Sequence, residues 1–153
     1  MPAPGPGRPR AHAVAWAALV LVAAPAAAWT WARHVQPVPS LPWPELVWRL
    51  GLYAVLEELA FRGAIHPWLA QRRSLAGRGW GGLSAANWLT SAAFAAVHAT
   101  VQPPWQAAAM GPVSLVLGAS LDQSRRLTVP VGLHLYFNLL LWLASLLSTT
   151  LPR

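Results

Sequence analysis

Five apolar stretches, residues 11–32, 45–69, 85–101, 105–121 and 128–148, make up most of this 153-residue chain, and Arg, Gly and Pro crowd the gaps between them. The first is long enough to cross a hydrocarbon layer of ~30 Å at 1.5 Å of helical rise per residue. With 56% hydrophobic and 10% charged residues, such a chain carries more apolar surface than a soluble domain of equal length can bury. The expectation is an all-α fold, a polytopic membrane bundle of about five transmembrane helices. No repeat and no β pattern stands out. Cysteine is absent, which excludes disulfides, zinc thiolate sites and a cysteine nucleophile.

Helix boundaries follow from breakers. Residues 1–10 (MPAPGPGRPR) read as a flexible segment, and residues 11–153 as a single transmembrane domain. The connector QPVPSLPWP precedes the second helix, where Pro42 and Pro44 suit a helix start. Pro67 and the basic, Gly-rich stretch QRRSLAGRGWGG end it. Ser84 is a candidate N-cap for the third helix, and Gln102, Pro103 and Pro104 close it. Gly111 and Pro112 are expected to kink the fourth helix, and Pro130 sits in the first turn of the fifth. The first stretch has a second reading as a secretory signal: Arg8 and Arg10, a hydrophobic run, then Pro25 followed by Ala26, Ala27 and Ala28.

The formal charge of +7 comes from eleven arginines without a lysine. Five spans with the N-terminus inside put Arg8, Arg10, Arg72, Arg73, Arg78, Arg125 and Arg126 on the cytoplasmic side and only Arg33 and Arg153 outside, as the positive-inside bias demands. Arg49 can pair with Glu45 one turn away. Trp29, Trp31, Trp43, Trp48, Trp68, Trp80 and Trp105 lie near predicted helix ends, like an interfacial belt. Basicity of this distribution points to a lipid bilayer and not to nucleic acid; the expected setting is a bacterial or archaeal cell membrane, with the chain integral to it and its N-terminus cytoplasmic.

Against that background the acids are informative. Only four are present, and two of them, Glu57 and Glu58, sit inside the second apolar stretch. A charge near the bilayer centre costs roughly 2.5–3.5 kcal/mol on insertion scales, so an intramembrane carboxylate is a candidate for function. On a helix Glu58 and Arg62 stand one turn apart and can pair, while Glu57 points about 100° away and stays free to exchange protons with water. The alternative is a buried ion pair beside a packed, protonated glutamate. His98 follows Phe94 by one turn on a small, apolar helix and reads equally as a packing residue. His134 and Asn138 are four residues apart, one side of one helix, and two such donors facing a dry cavity could stabilise an oxyanion. Asn138 could instead bond a neighbouring helix. Upright, straight helices would leave His98 about 10 Å outward of Glu57 and His134. The third helix must therefore tilt strongly or start later than Ala85, or the helix boundaries must differ from these.

The ordered set Glu57-Glu58-Leu-Ala-Phe-Arg62, Phe94-Ala-Ala-Val-His98 and His134-Leu-Tyr-Phe-Asn138 resembles the three motifs of the CPBP intramembrane proteases, the CAAX protease and bacteriocin-processing family that includes the Rce1-type enzymes. The resemblance covers residues 50–141. It implies a glutamic-type protease in which Glu57 and His98 activate a water, His134 and Asn138 stabilise the oxyanion, and Glu58 and Arg62 support the site. No cofactor is implied. Zinc held by two histidines and a carboxylate is a secondary reading that lacks the compact HExxH spacing. The implied substrate is a membrane protein or a lipidated or tail-anchored peptide cut near its C-terminus, or a sorting tail on an exported protein. Two other classes stay open: a non-catalytic immunity or scaffold protein of the same fold, and an ion or proton conduit.

Overall fold

A computed structural model describes residues 24–34 and 42–150, which are mostly helical. The chain divides into two compact units, Trp43–Leu135 and, separately, Met1–Pro42 with Tyr136–Arg153. In the smaller unit the described parts are helix α1 (Ala24–His34) and the later turns of the last helix. The expected flexible segment, the signal-like run before Ala24 and most of the Pro-rich connector lie outside the described residues.

The larger unit opens with α2, residues 43–70. Pro44 falls in its first turn, where a missing N–H costs nothing. Two stretches, Val47–Leu52 and Leu59–Ile65, are wound as π-helix. The backbone stays right-handed helical at every junction, so α2 is one continuous rod. It ends at Ala70, one residue past the expected Leu69 and directly before the basic, Gly-rich stretch. The wider turn just ahead of Pro67 is where the regular ladder already loosens, and the proline withdraws one more donor there.

A short antiparallel ladder, β1 (Gly79–Trp80) on β2 (Leu83–Ser84), follows, with Gly79 opposite Ser84 and Trp80 opposite Leu83. The sequence shows no β alternation, and two-residue strands could not display one. The pairing comes from Gly81 and Gly82, both at positive φ, which reverse the chain. Trp88 donates its indole N–H to the Trp80 carbonyl at 3.1 Å and ties the ladder to the next helix.

Helix α3 (Ala85–His98) starts at its expected cap: the Ser84 hydroxyl accepts from the Asn87 N–H at 3.1 Å. It ends three residues short of the expected Val101, because Val101 and Gln102 both turn back to the His98 carbonyl. At 14 residues it is about 21 Å long, too short to cross ~30 Å of hydrocarbon upright. Helix α4 (Pro104–Ser124) passes Gly111 and Pro112 without a break and closes on Arg125, which donates its N–H to the Leu121 carbonyl at 2.8 Å and then turns the chain away with a left-handed φ of 56°. Helix α5 (Thr128–Thr150) carries Pro130 in its first turn. Among the described residues, α5 is the one helix both long and apolar enough to cross a membrane.

Burial runs opposite to the soluble pattern. Glu58, Arg62, His66, Asn87, Thr90 and Ser114 are buried, whereas Trp48, Tyr53, Leu56, Leu59 and Trp68 on α2 are exposed. The most extensive helix–helix contact is α3 with α4, where Ser114 bonds Ser91 and the Asn87 amide bonds the Leu115 carbonyl. Gly118 permits it, since a Cβ there would run into the Asn87 amide. Gly118→Ala is accordingly expected to cost about 1–3 kcal/mol by overpacking, read as a lowered unfolding midpoint in detergent. An unchanged midpoint would mean that α3 and α4 are not held this closely.

Candidate active site

Four side chains from three helices meet in the larger unit. Adjacent positions in the middle of α2 supply Glu57 and Glu58, the last residue of α3 supplies His98, and the second turn of α5 supplies His134. The two glutamates have different surroundings. Glu58 is fully buried, and its Oε1 accepts from Arg62 Nη1 at 3.0 Å and lies 2.8 Å from His134 Nδ1. The side chain of Glu57 is 33% exposed, with Oε2 3.6 Å from His134 Nε2 and Oε1 4.0 Å from His98 Nε2. Those two separations exceed a direct hydrogen bond.

The expected 10 Å offset of His98 is absent. Helices α3 and α5 begin at Ala85 and Thr128 as expected, so a later start of the third helix is not the reason. The expectation that the two carboxylates act apart is met only in part: Glu58 is the buried one beside Arg62, yet both reach the same imidazole, one through each ring nitrogen.

Phe94 organises the floor of the cluster. Its ring lies 4.2 Å from that of His98, 4.9 Å edge-on from Phe61 and 6.2 Å from His134, with the Arg62 guanidinium 5.0 Å above it. Its carbonyl sits 2.9 Å from His98 Nδ1. A carbonyl only accepts, which assigns that nitrogen as a donor and turns Nε2 toward Glu57. Helix α4 adds a residue outside the three motifs: Arg62 Nη2 donates to the Ser114 carbonyl at 2.8 Å and to its hydroxyl at 2.6 Å. From there Ser114 donates to Ser91, and Ser91 to the Asn87 side-chain oxygen. Asn138 comes one turn after His134 on α5; it belongs to the smaller unit, and its assignment rests on the motif alone.

A second polar cluster lies where α2, α3 and α4 meet the basic turns. Asp122 accepts from His66 Nε2 at 2.9 Å and from the Ser84 hydroxyl at 2.8 Å. It lies beyond Leu121, where the apolar stretch ends. Burial pushes its carboxyl up, but the hydrogen bonds from His66 and Ser84 outweigh that and hold it below the ordinary carboxylate range. Nearby, an open cavity of about 650 Å³ is lined by Arg78, Trp80, Ser84, Asp122 and Arg125. Neither glutamate of α2 nor His98 or His134 lines it, so the candidate chemistry belongs to the packed cluster and not to this opening.

By donor type, Glu57, His98 and His134 would suit zinc. Among the described residues, no three His, Asp or Glu side chains form a group able to hold a metal ion. Residues 39–140 match the family described as type II CAAX prenyl endopeptidase Rce1-like, and this span contains every residue of the three motifs. No curated protein and no solved structure gives a match.

Proposed function

The chain belongs to the Rce1-like type II CAAX prenyl endopeptidases, a family of membrane proteases, and from that premise we propose that it is a glutamic-type intramembrane endopeptidase. Glu57 and His98 hold and deprotonate the attacking water, and His134 with Asn138 stabilises the oxyanion. Glu58 and Arg62 support them. The apolar helices pack as a polytopic bundle with the N-terminus cytoplasmic, in keeping with the exposed Trp and Leu side chains of α2 and the arginine bias. The substrate is a membrane-associated or exported chain, lipidated or tail-anchored, cut near its C-terminus.

One observation carries this reading. Glu57 is the accessible carboxylate, and it faces two imidazole edges across gaps of 3.6 and 4.0 Å. A scaffold has no need of an acid and two imidazoles kept just short of mutual contact inside an apolar bundle. A carboxylate with an imidazole beside it is the pairing that general-base activation of a water uses. The reaction is proposed to need no metal, since the compact HExxH spacing is absent.

The test uses the whole chain purified in detergent and offered prenylated and unmodified tail peptides, with and without a chelator. Cleavage is expected to survive chelation and to be lost in His98→Ala with the fold intact. Loss on chelation with recovery on added zinc would replace the water-activation scheme with a metal one. Full cleavage by His98→Ala would remove that histidine from the chemistry.

A further inference from the structure

We infer that Glu58 is a positioning residue that keeps a hydrogen on Nδ1 of His134, so that Nε2 is the edge that exchanges protons with Glu57; this rests on the proposed protease reading. The argument is one of hydrogen-bond direction. Arg62 has only donors. Its Nη1 points at Glu58 Oε1 at 3.0 Å, and its Nη2 is spent on the carbonyl and hydroxyl of Ser114. A guanidinium held in this way keeps Glu58 as an acceptor-only carboxylate. His134 Nδ1 approaches the same oxygen at 2.8 Å. Two acceptors do not share a 2.8 Å contact, so Nδ1 carries the hydrogen.

The orientation is enforced from α4. The Ser114 hydroxyl, accepting from Arg62, must donate onward, and does so to Ser91 at 3.0 Å; Ser91 donates to Asn87 Oδ1 at 3.3 Å. The Asn87 amide is itself oriented by donation to the Leu115 carbonyl at 3.0 Å. Each hydrogen in the series has one direction. Ser114 and Ser91, which belong to none of the three motifs, thereby help set the proton position on His134.

The consequence concerns the oxyanion. A neutral His134 with its hydrogen on Nδ1 has a bare Nε2 and donates nothing toward substrate. It becomes a donor only on taking a second proton. As the attacking water forms its bond to the scissile carbon, the hydrogen it loses passes to Glu57 and then to His134 Nε2, 3.6 Å away. The imidazolium stands beside the oxyanion with Glu58 as its counter-charge. When the C–N bond breaks, the same proton leaves with the amine nitrogen, and the site returns to its starting state.

The test is nitrogen-detected NMR of the whole chain in detergent, labelled with ¹⁵N-histidine, with the His134 signals identified by their loss in His134→Gln. In the wild type, Nδ1 of His134 is expected to carry hydrogen whether or not Nε2 does. In the double variant Glu58→Leu, Arg62→Met, which swaps the ion pair for apolar volume, that preference is expected to disappear while the His98 signals stay in place. On a cleaved peptide, kcat should fall by roughly 10²- to 10⁴-fold, the cost of losing a partner that orients a working imidazole, with KM held. A wild-type His134 with bare Nδ1 and a hydrogen on Nε2 overturns the inference, as does a double variant with the wild-type pattern. Should the double variant not fold, Ser114→Ala takes its place, with a partial shift of the same signals expected and an unchanged pattern counting against. The spectra need no turnover, so an inactive chain with Nδ1 protonated would sink the protease reading and leave the tautomer assignment standing.

Discussion

Glu57→Gln is expected to lower kcat by about 10³-fold, the middle of the range that a positioned general base contributes, with KM little changed. Glutamine keeps the volume and one carbonyl acceptor but cannot take a proton at the working pH. The neighbouring carboxylate offers no substitute, because Glu58 is fully buried and its Oε1 is already claimed by Arg62 and His134. Stability should hardly move. Glu57 is one-third exposed and its two nearest nitrogens are 3.6 and 4.0 Å away, so the loss of its charge should fall within about 1 kcal/mol. Peptide cleavage and an unfolding midpoint on the same preparation check both halves. Retention of more than a tenth of wild-type kcat would mean the water is activated elsewhere. A scaffold would tolerate the change, and a proton conduit would show altered flux and no product.

The same residues show how far the chain's pattern could be read before its structure. Apolar runs and breakers locate the helices, because hydropathy and proline chemistry are local. The helix ends are less exact: α3 stops three residues short of Val101, and α4 runs three residues past Leu121. Ala99 to Val101 are apolar enough to continue it, but the Thr100 hydroxyl bonds the Val97 carbonyl and the chain turns toward Pro103 and Pro104. Local geometry also places Arg62 beside Glu58, at i, i+4. It does not reveal that Ser114, 52 residues later, accepts twice from the guanidinium, since a serine within GPVSLVL looks like any small residue of an apolar helix. The role of Phe94 was half visible in its spacing to His98. His66 bears no motif, and its pairing with Asp122 arises only because α2 and α4 are packed together. Periodicity reports faces of one helix; the directions of hydrogen bonds between helices depend on packing that no single segment contains.

Arg62→Met should be among the most destabilising single substitutions in the chain. It leaves Glu58, fully buried, with His134 as its remaining partner, and stripping one member from a buried ion pair typically costs about 3–5 kcal/mol. Unfolding in mixed micelles should show that loss. Glu58 Oε2 and Arg62 Nε make no hydrogen bond within the protein, and the attraction inside a buried ion pair commonly does not cover the cost of taking both charges from water. Replacing both with apolar residues, Glu58→Leu with Arg62→Met, is therefore expected to recover most of the lost stability. Activity should not return with it, because His134 has then lost the carboxylate that orients its ring. A folded, stable and inactive double variant would show that the pair is kept for the imidazole it aims. If instead the double variant is as unstable as Arg62→Met, the pair is a structural element, and the weak catalysis of either variant would follow from loss of fold alone.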